Sequence, residues 1–211
     1  GYPGNLAVSV RYSVTEENEL RVDYSATTDR ATPVNLTQHS YFNLATQGQV
    51  LEHELLLNAD QYTSVNNQLI PEGDLALVAG TPFDFRQTKP IGADMGAHPP
   101  ELKASSGGYD HNFVLERPED RAALVLAARA TDPGSGRVLE VLTQEPCVQF
   151  YTSNFLDGSL RGKGRSYPQY GAFCIEPQHF PDSPNQSRFP STILRAGEVY
   201  RTASCYRFSH I

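Results

Sequence analysis

Two ionisable side chains stand where an all-β core has no use for them. One is His39 in the string NLTQHSYFNL, residues 35–44; the other is Glu176 in FCIEPQHFPDSPN, residues 173–185. Histidine is the side chain that changes charge near neutral pH. A carboxyl on a largely apolar strand, beside Cys174, is partly desolvated, which raises its pKa and makes it a better base. On separate strands the two form an acid–base pair if the fold brings them together. Such a pair delivers a proton to one substrate atom and removes a proton from another.

The surroundings of His39 suit a polar, uncharged ligand. Read as a strand, 35–44 puts Asn35, Thr37, His39, Tyr41 and Asn43 on one face. Two further segments carry polar groups in unusual places. In GGYDHNF (107–113), paired glycines allow close backbone approach and Asp110 with His111 then opens a strand. In VQFYTSNFL, Gln149 sits among Phe150, Tyr151 and Phe155. Aromatic rings beside amides match a sugar, which has apolar faces and polar edges. An ordinary turn with a capping aspartate and an ordinary aromatic sheet face account for these two segments equally well.

Several chemistries are not indicated. There is no G-x-S-x-G elbow, no P-loop and no G-x-G-x-x-G. The histidines at 39, 53, 98, 111, 179 and 210 show no H-x-H or H-x-x-x-H spacing, so no metal site is expected. Cys147, Cys174 and Cys205 are odd in number and far apart, which argues against a disulfide framework or zinc ribbon and fits a reduced, cytoplasmic protein. A net charge of -7 argues against nucleic acid or an anionic membrane. The one basic cluster, Arg161, Lys163 and Arg165, alternates with glycine and reads as an exposed loop. No apolar run reaches membrane length.

The elements that must position these residues are strands. LAVSVRYSV (6–14) and ELRVDYSA (19–26) alternate, with a hairpin turn at Glu16, Glu17 and Asn18. Residues 51–65 suggest two short strands. Gly73, Gly80, Pro82, Pro90 and Gly92 suggest loops in the next stretch, and 86–106 reads as a long connection with at most a helical turn. Strands follow at 111–116, 122–130 and 137–144, the last two joined by a turn at Asp132-Pro133-Gly134. CVQFYTSNF, AFCIEPQ and YRTASCYRFS complete the set. Pro177 is expected to end regular pairing after Glu176. With 211 residues and 39% hydrophobic content, this pattern predicts one all-β domain over 1–211, a large antiparallel β-sandwich.

Taken together, NLTQHSYFNL, GGYDHNFVL, VQFYTSNFLDG and CIEPQHFPDSPNQSRFPS, in this order, resemble the aldose 1-epimerase (galactose mutarotase) family. GYPGNL at the start and GTPFDFR at 80–86 are similar too. The resemblance implies a galactose mutarotase-like sandwich with a sugar cleft on its concave face. It also implies interconversion of α and β anomers of aldohexoses such as galactose and glucose, without a cofactor. Carried over by motif, His39 is the general acid and Glu176 the general base, bracketing one hexose ring from opposite ends. Asp110 binds sugar hydroxyls, Gln149 contacts substrate and Tyr41 lines the site. Family members carry further chain ahead of GYPGNL, with an arginine and a histidine that contact the sugar. The chain is thus expected to match the C-terminal two-thirds of a mutarotase, with exposed sheet edges that favour pairing with an N-terminal segment or self-association. A non-catalytic sugar-binding sandwich, or a glycosidase or lyase using Glu176 and Asp110, are the alternatives.

Overall fold

The alternating apolar strings at the start close as a hairpin. Strand β1 (Leu6–Val14) pairs antiparallel with β2 (Glu19–Thr28), in register from Leu6↔Thr28 to Val14↔Leu20. Asn18 takes a φ of 58° at the turn, a conformation asparagine tolerates well. The computed structural model describes every residue except 46, 97–99, 119 and 121; His98 therefore lies outside the described residues. After β3 (Thr32–Pro33) come β4 (Glu54–Leu57), β5 (Ala59–Val65), β6 (Pro71–Leu77), β7 (Lys89–Pro90) and β8 (Asp110–Leu115). Then follow β9 (Val125–Thr131), β10 (Arg137–Thr143), β11 (Cys147–Tyr151), β12 (Arg161–Gly162) and β13 (Arg165–Ser166). β14 (Cys174–Gln178), β15 (Ile193–Leu194) and β16 (Tyr200–His210) close the chain.

Two antiparallel sheets form an all-β sandwich. One has seven strands in the order β1-β2-β16-β10-β9-β4-β7; the other has five, β14-β11-β8-β5-β6. Their facing surfaces share one core, in which Tyr24, Leu55, Leu139, Val141 and Tyr206 meet Phe113, Val148, Phe150 and Ile175. Strand periodicity divides each strand of the smaller sheet in two. His111, Phe113, Phe150 and Ile175 point into this core and are almost wholly buried. Asp110, Asn112, Gln149, Tyr151, Glu176 and Gln178 are left for the other face. At the far edge of the larger sheet, Leu6, Val8, Val10, Tyr12 and Val14 of β1 are exposed. Among the described residues no helix is long and apolar enough to cross a membrane.

Three local expectations are corrected. Residues 35–44 do not form a strand; the segment is irregular, with a single bridge at Phe42↔Phe173. Pro177 does not end the pairing of β14, which continues through Val148↔Pro177 to Cys147↔Gln178. β14 is the outer strand of its sheet, so the missing N–H is lost from the open edge rather than from the ladder with β11. Residues 71–77 are a strand, not loop: β6 pairs with β5 despite Pro71 and Gly73. A register irregularity between Thr63 and Val65, with Gly73 at φ 85°, absorbs the misfit.

The same open edge explains the missing strand at 35–44. Phe173 exchanges two backbone hydrogen bonds with Phe42. Two residues on, the Ile175 carbonyl accepts from the Tyr206 hydroxyl at 3.3 Å. At the next outward position Pro177 has no donor to offer. The missing Pro177 donor interrupts a ladder between β14 and the His39 segment.

Candidate active site

The polar face of the smaller sheet is a grid set by register. Across β14, β11 and β8, one row reads Cys174, Tyr151, Asp110 and the next reads Glu176, Gln149, Asn112. All of these but the fully buried Cys174, together with Gln178, floor a cleft of about 450 Å³, walled by His39 and Tyr41 on one side and by Val65, Leu69, Pro71 and Pro181 elsewhere. The site is thus built from three adjacent strands plus the irregular segment that runs along the β14 edge.

His39 and Glu176 meet. His39 Nε2 lies 3.5 Å from Glu176 Oε1; the imidazole is 49% exposed and the carboxylate only 8%. The separation is an ion-pair contact, longer than a strong charge-assisted hydrogen bond. The groups are neighbours at one corner of the cleft, so they do not bracket a hexose ring from opposite ends. Burial, with the Asp110 carboxyl as a secondary cause, pushes Glu176 up to about 8. The His39 ring stacks on Tyr41, with centroids 5.1 Å apart, and meets the edge of Tyr151. Burial first, then nearby ionisable groups, pushes the Tyr41 hydroxyl up to about 12, so it stays a neutral hydrogen-bonding group.

Asp110 and Gln149 are coupled. Gln149 Nε2 donates to Asp110 Oδ1 at 2.8 Å, a diagonal contact between β11 and β8. Burial raises the Asp110 pKa; the Gln149 hydrogen bond and His39 oppose it. Gln178 Nε2 donates to Asn112 Oδ1 at 3.2 Å and Asn112 Nδ2 to Thr63 Oγ1 at 2.8 Å, which ties the floor together. The neighbouring His111 points the other way: it is buried, with its pKa lowered to about 4 by burial, and its Nδ1 accepts the Asp110 N–H. It is a core histidine. Gly108 sits where a Cβ would lie 2.0 Å from Asn154 Oδ1, and that close approach delivers the chain to Asp110.

All five side chains expected from sequence line this cleft: His39, Tyr41, Asp110, Gln149 and Glu176. Asn112, Gln178 and Tyr151 were not expected. Each is two positions from an expected residue, so strand alternation alone would have found them. Leu69 was not signalled by anything in the pattern. One grouping was also unforeseen: ligand atoms of His39, Cys174 and Glu176 all lie within 4.8 Å of one another. Burial raises the pKa of both the Cys174 thiol and the Glu176 carboxyl.

Comparison with known proteins places the chain in a family. The family described as aldose 1-epimerase matches residues 1–207. The chain belongs to the aldose 1-epimerase family. It is 47% identical to the galactose mutarotase of Bos taurus over 212 residues, covering 99% of this chain and 59% of that protein. To the aldose 1-epimerase of Escherichia coli (strain K12) it is 38% identical, covering 99% of this chain and 60% of that one. Among solved structures, the GalM/aldose epimerase homologue from C. elegans superposes with a TM-score of 0.86 at 32% identity, over 100% of this chain and 62% of that chain. The galactose 1-epimerase from Lactobacillus acidophilus gives 0.84 at 30% identity, over 99% and 58%. The chain thus spans about three-fifths of the length of the curated relatives it matches. In this aldose 1-epimerase family member, the cleft lies on the open face of the five-stranded sheet.

Proposed function

We propose that the protein interconverts the α and β anomers of an aldohexose such as galactose or glucose by opening and reclosing the ring, without a cofactor. The observation that carries this is the contact between His39 Nε2 and Glu176 Oε1 at 3.5 Å in a polar cleft. The two oxygens that exchange protons in the reaction, the anomeric hydroxyl and the ring oxygen, are bonded to the same carbon. Adjacent acid and base groups are what that carbon requires.

In this reading Glu176 takes the proton of the C1 hydroxyl while His39, as imidazolium, protonates the ring oxygen. The C1–O5 bond breaks and the C1–O1 bond becomes a carbonyl. Rotation about C1–C2 presents the opposite face, and the ring recloses with the proton transfers reversed. A base held at about 8 is near the operating pH, where proton transfer is most efficient. Each positioned acid or base is worth ~10²–10⁴-fold. Asp110, oriented by Gln149, receives sugar hydroxyls, and the stacked Tyr41 gives the ring an apolar face to rest on.

Free, buried Cys147, Cys174 and Cys205 support a reducing compartment such as the cytoplasm. The exposed apolar row on β1 supports pairing of that edge with a further segment of the protein or with a second copy. The test of the activity is polarimetric. Freshly dissolved α-galactose should lose its excess rotation faster with the protein than without it, and Glu176→Gln should abolish the acceleration. A Glu176→Gln protein as fast as the unmodified one removes the base assignment.

A further inference from the structure

The His39 segment touches its partner strand at two points, and only one of them is backbone to backbone. At the far end Phe42 and Phe173 exchange N–H···O bonds of 2.8 and 2.9 Å. At the near end the side chain of Asn35 replaces the ladder. Asn35 Nδ2 donates to the His179 carbonyl at 3.1 Å, and the His179 N–H donates to Asn35 Oδ1 at 2.9 Å. Between these points the open edge of β14 gives no ladder, and Pro177 has no donor. His39 lies in this span, in contact with Glu176 at its middle.

His179 is itself held. Its Nδ1 lies 2.5 Å from Oε2 of Glu145, whose side chain is 1% exposed; the contact is an ion pair by distance, without hydrogen-bond geometry at either atom. The other oxygen of Glu145 accepts the Tyr200 hydroxyl at 3.2 Å, and the Tyr200 ring lies against the imidazole. None of these groups lines the cleft. A buried carboxylate is expensive unless it is paired, and no step of the proposed reaction uses this one.

We propose that Asn35, His179 and Glu145 are positioning residues that set the placement of His39 against Glu176; this rests on the anomer-interconversion reading above. Glu145 fixes the His179 ring, the His179 main chain fixes Asn35, and Asn35 fixes the start of the span that carries the acid. The polar substrate contacts, Asp110, Gln149 and Asn112, lie on β8 and β11, which the chain of contacts does not touch; only Tyr41 shares the His39 span. Loss of the Asn35 anchor therefore lowers turnover more than it weakens binding.

The experiment is a steady-state comparison in the full natural chain. Asn35 is exposed, so Asn35→Ala should fold normally. Its kcat should drop by ~10- to 100-fold, the cost of a misplacement on the order of 1 Å. KM for galactose should rise by no more than about threefold, the share that Tyr41 carries, so the loss falls mainly on kcat. Asn35→Asp keeps the acceptor for the His179 N–H and loses the donor, so its kcat should fall between the two. Combining Asn35→Ala with Glu145→Gln should cost less than the sum of the single losses, because both act through His179. Three results overturn the proposal: an unchanged kcat in Asn35→Ala, a parallel loss of KM and melting temperature, or fully additive single effects. If the unmodified protein does not accelerate mutarotation, the parent reading fails instead.

Discussion

Replacing Glu176 with glutamine should make the protein inactive and, at alkaline pH, more stable. The carboxyl is held at about 8 against an ordinary 4.5, chiefly by burial. At about 1.4 kcal/mol per pH unit, that gap makes the buried carboxylate cost about 5 kcal/mol. The folded form binds the Glu176 proton more tightly than the unfolded chain does. Between about 4.5 and 8 the folded state thus carries more protons than the unfolded one, and stability falls as pH rises. Below 4.5 both states are protonated and there is no penalty; above 8 the penalty is complete. Glutamine keeps the shape and removes the charge. Glu176→Gln should therefore match the unmodified protein within about 0.5 kcal/mol at pH 4 and exceed it by about 5 kcal/mol at pH 9. In a domain of this size that corresponds to a rise in melting temperature of about 10–20 °C. Urea or thermal unfolding of both proteins at the two pH values measures it. An equal difference at pH 4 and pH 9, or a less stable glutamine variant at pH 9, would refute the idea that Glu176 is a strained, buried base.

The remaining predictions concern the rest of the cleft. The pH profile of kcat/KM should be bell-shaped with one limb near about 8, because both members of the pair must be in the right protonation state; a rate flat from pH 5 to pH 9 would count against the pair. Gln149→Leu removes the donor to Asp110 and should raise KM for galactose by about tenfold with little change in kcat; steady-state kinetics in which kcat falls instead would give Gln149 a different role. Gly108→Ala drives a Cβ into Asn154 and Thr152 and should cost about 1–3 kcal/mol of stability by chemical denaturation; a neutral effect would mean the Gly108 turn moves freely.

Strand alternation made the large features legible. The β1–β2 hairpin, the final strand β16 and the central strands β8, β9, β10 and β11 all follow from apolar residues at every second position. The same period placed Asp110, Gln149 and Glu176 off the core face. What alternation cannot report is whether a partner edge is available. Residues 35–44 alternate as a strand should, yet the neighbouring edge lacks a donor at Pro177, and the segment stays irregular. In β6 the error runs the other way: Pro71 and Gly73 read as breakers, but an edge strand with a bulge accommodates both. The separation of His39 and Glu176 was also invisible, since it depends on how the His39 segment is anchored at Asn35 and Phe42 rather than on either residue's own neighbours. The Glu145–His179 contact joins residues from a turn and a strand exit that nothing local connects.

The most direct test of the shared acid–base corner is anomeric exchange at equilibrium, observed by NMR. Selective inversion of the α-galactose H1 signal should pass to the β signal within the relaxation time when the protein is present. With either His39→Asn or Glu176→Gln the transfer should fall back to the rate of buffer alone. Undiminished transfer in either single variant would contradict a mechanism in which these two side chains move the protons at C1.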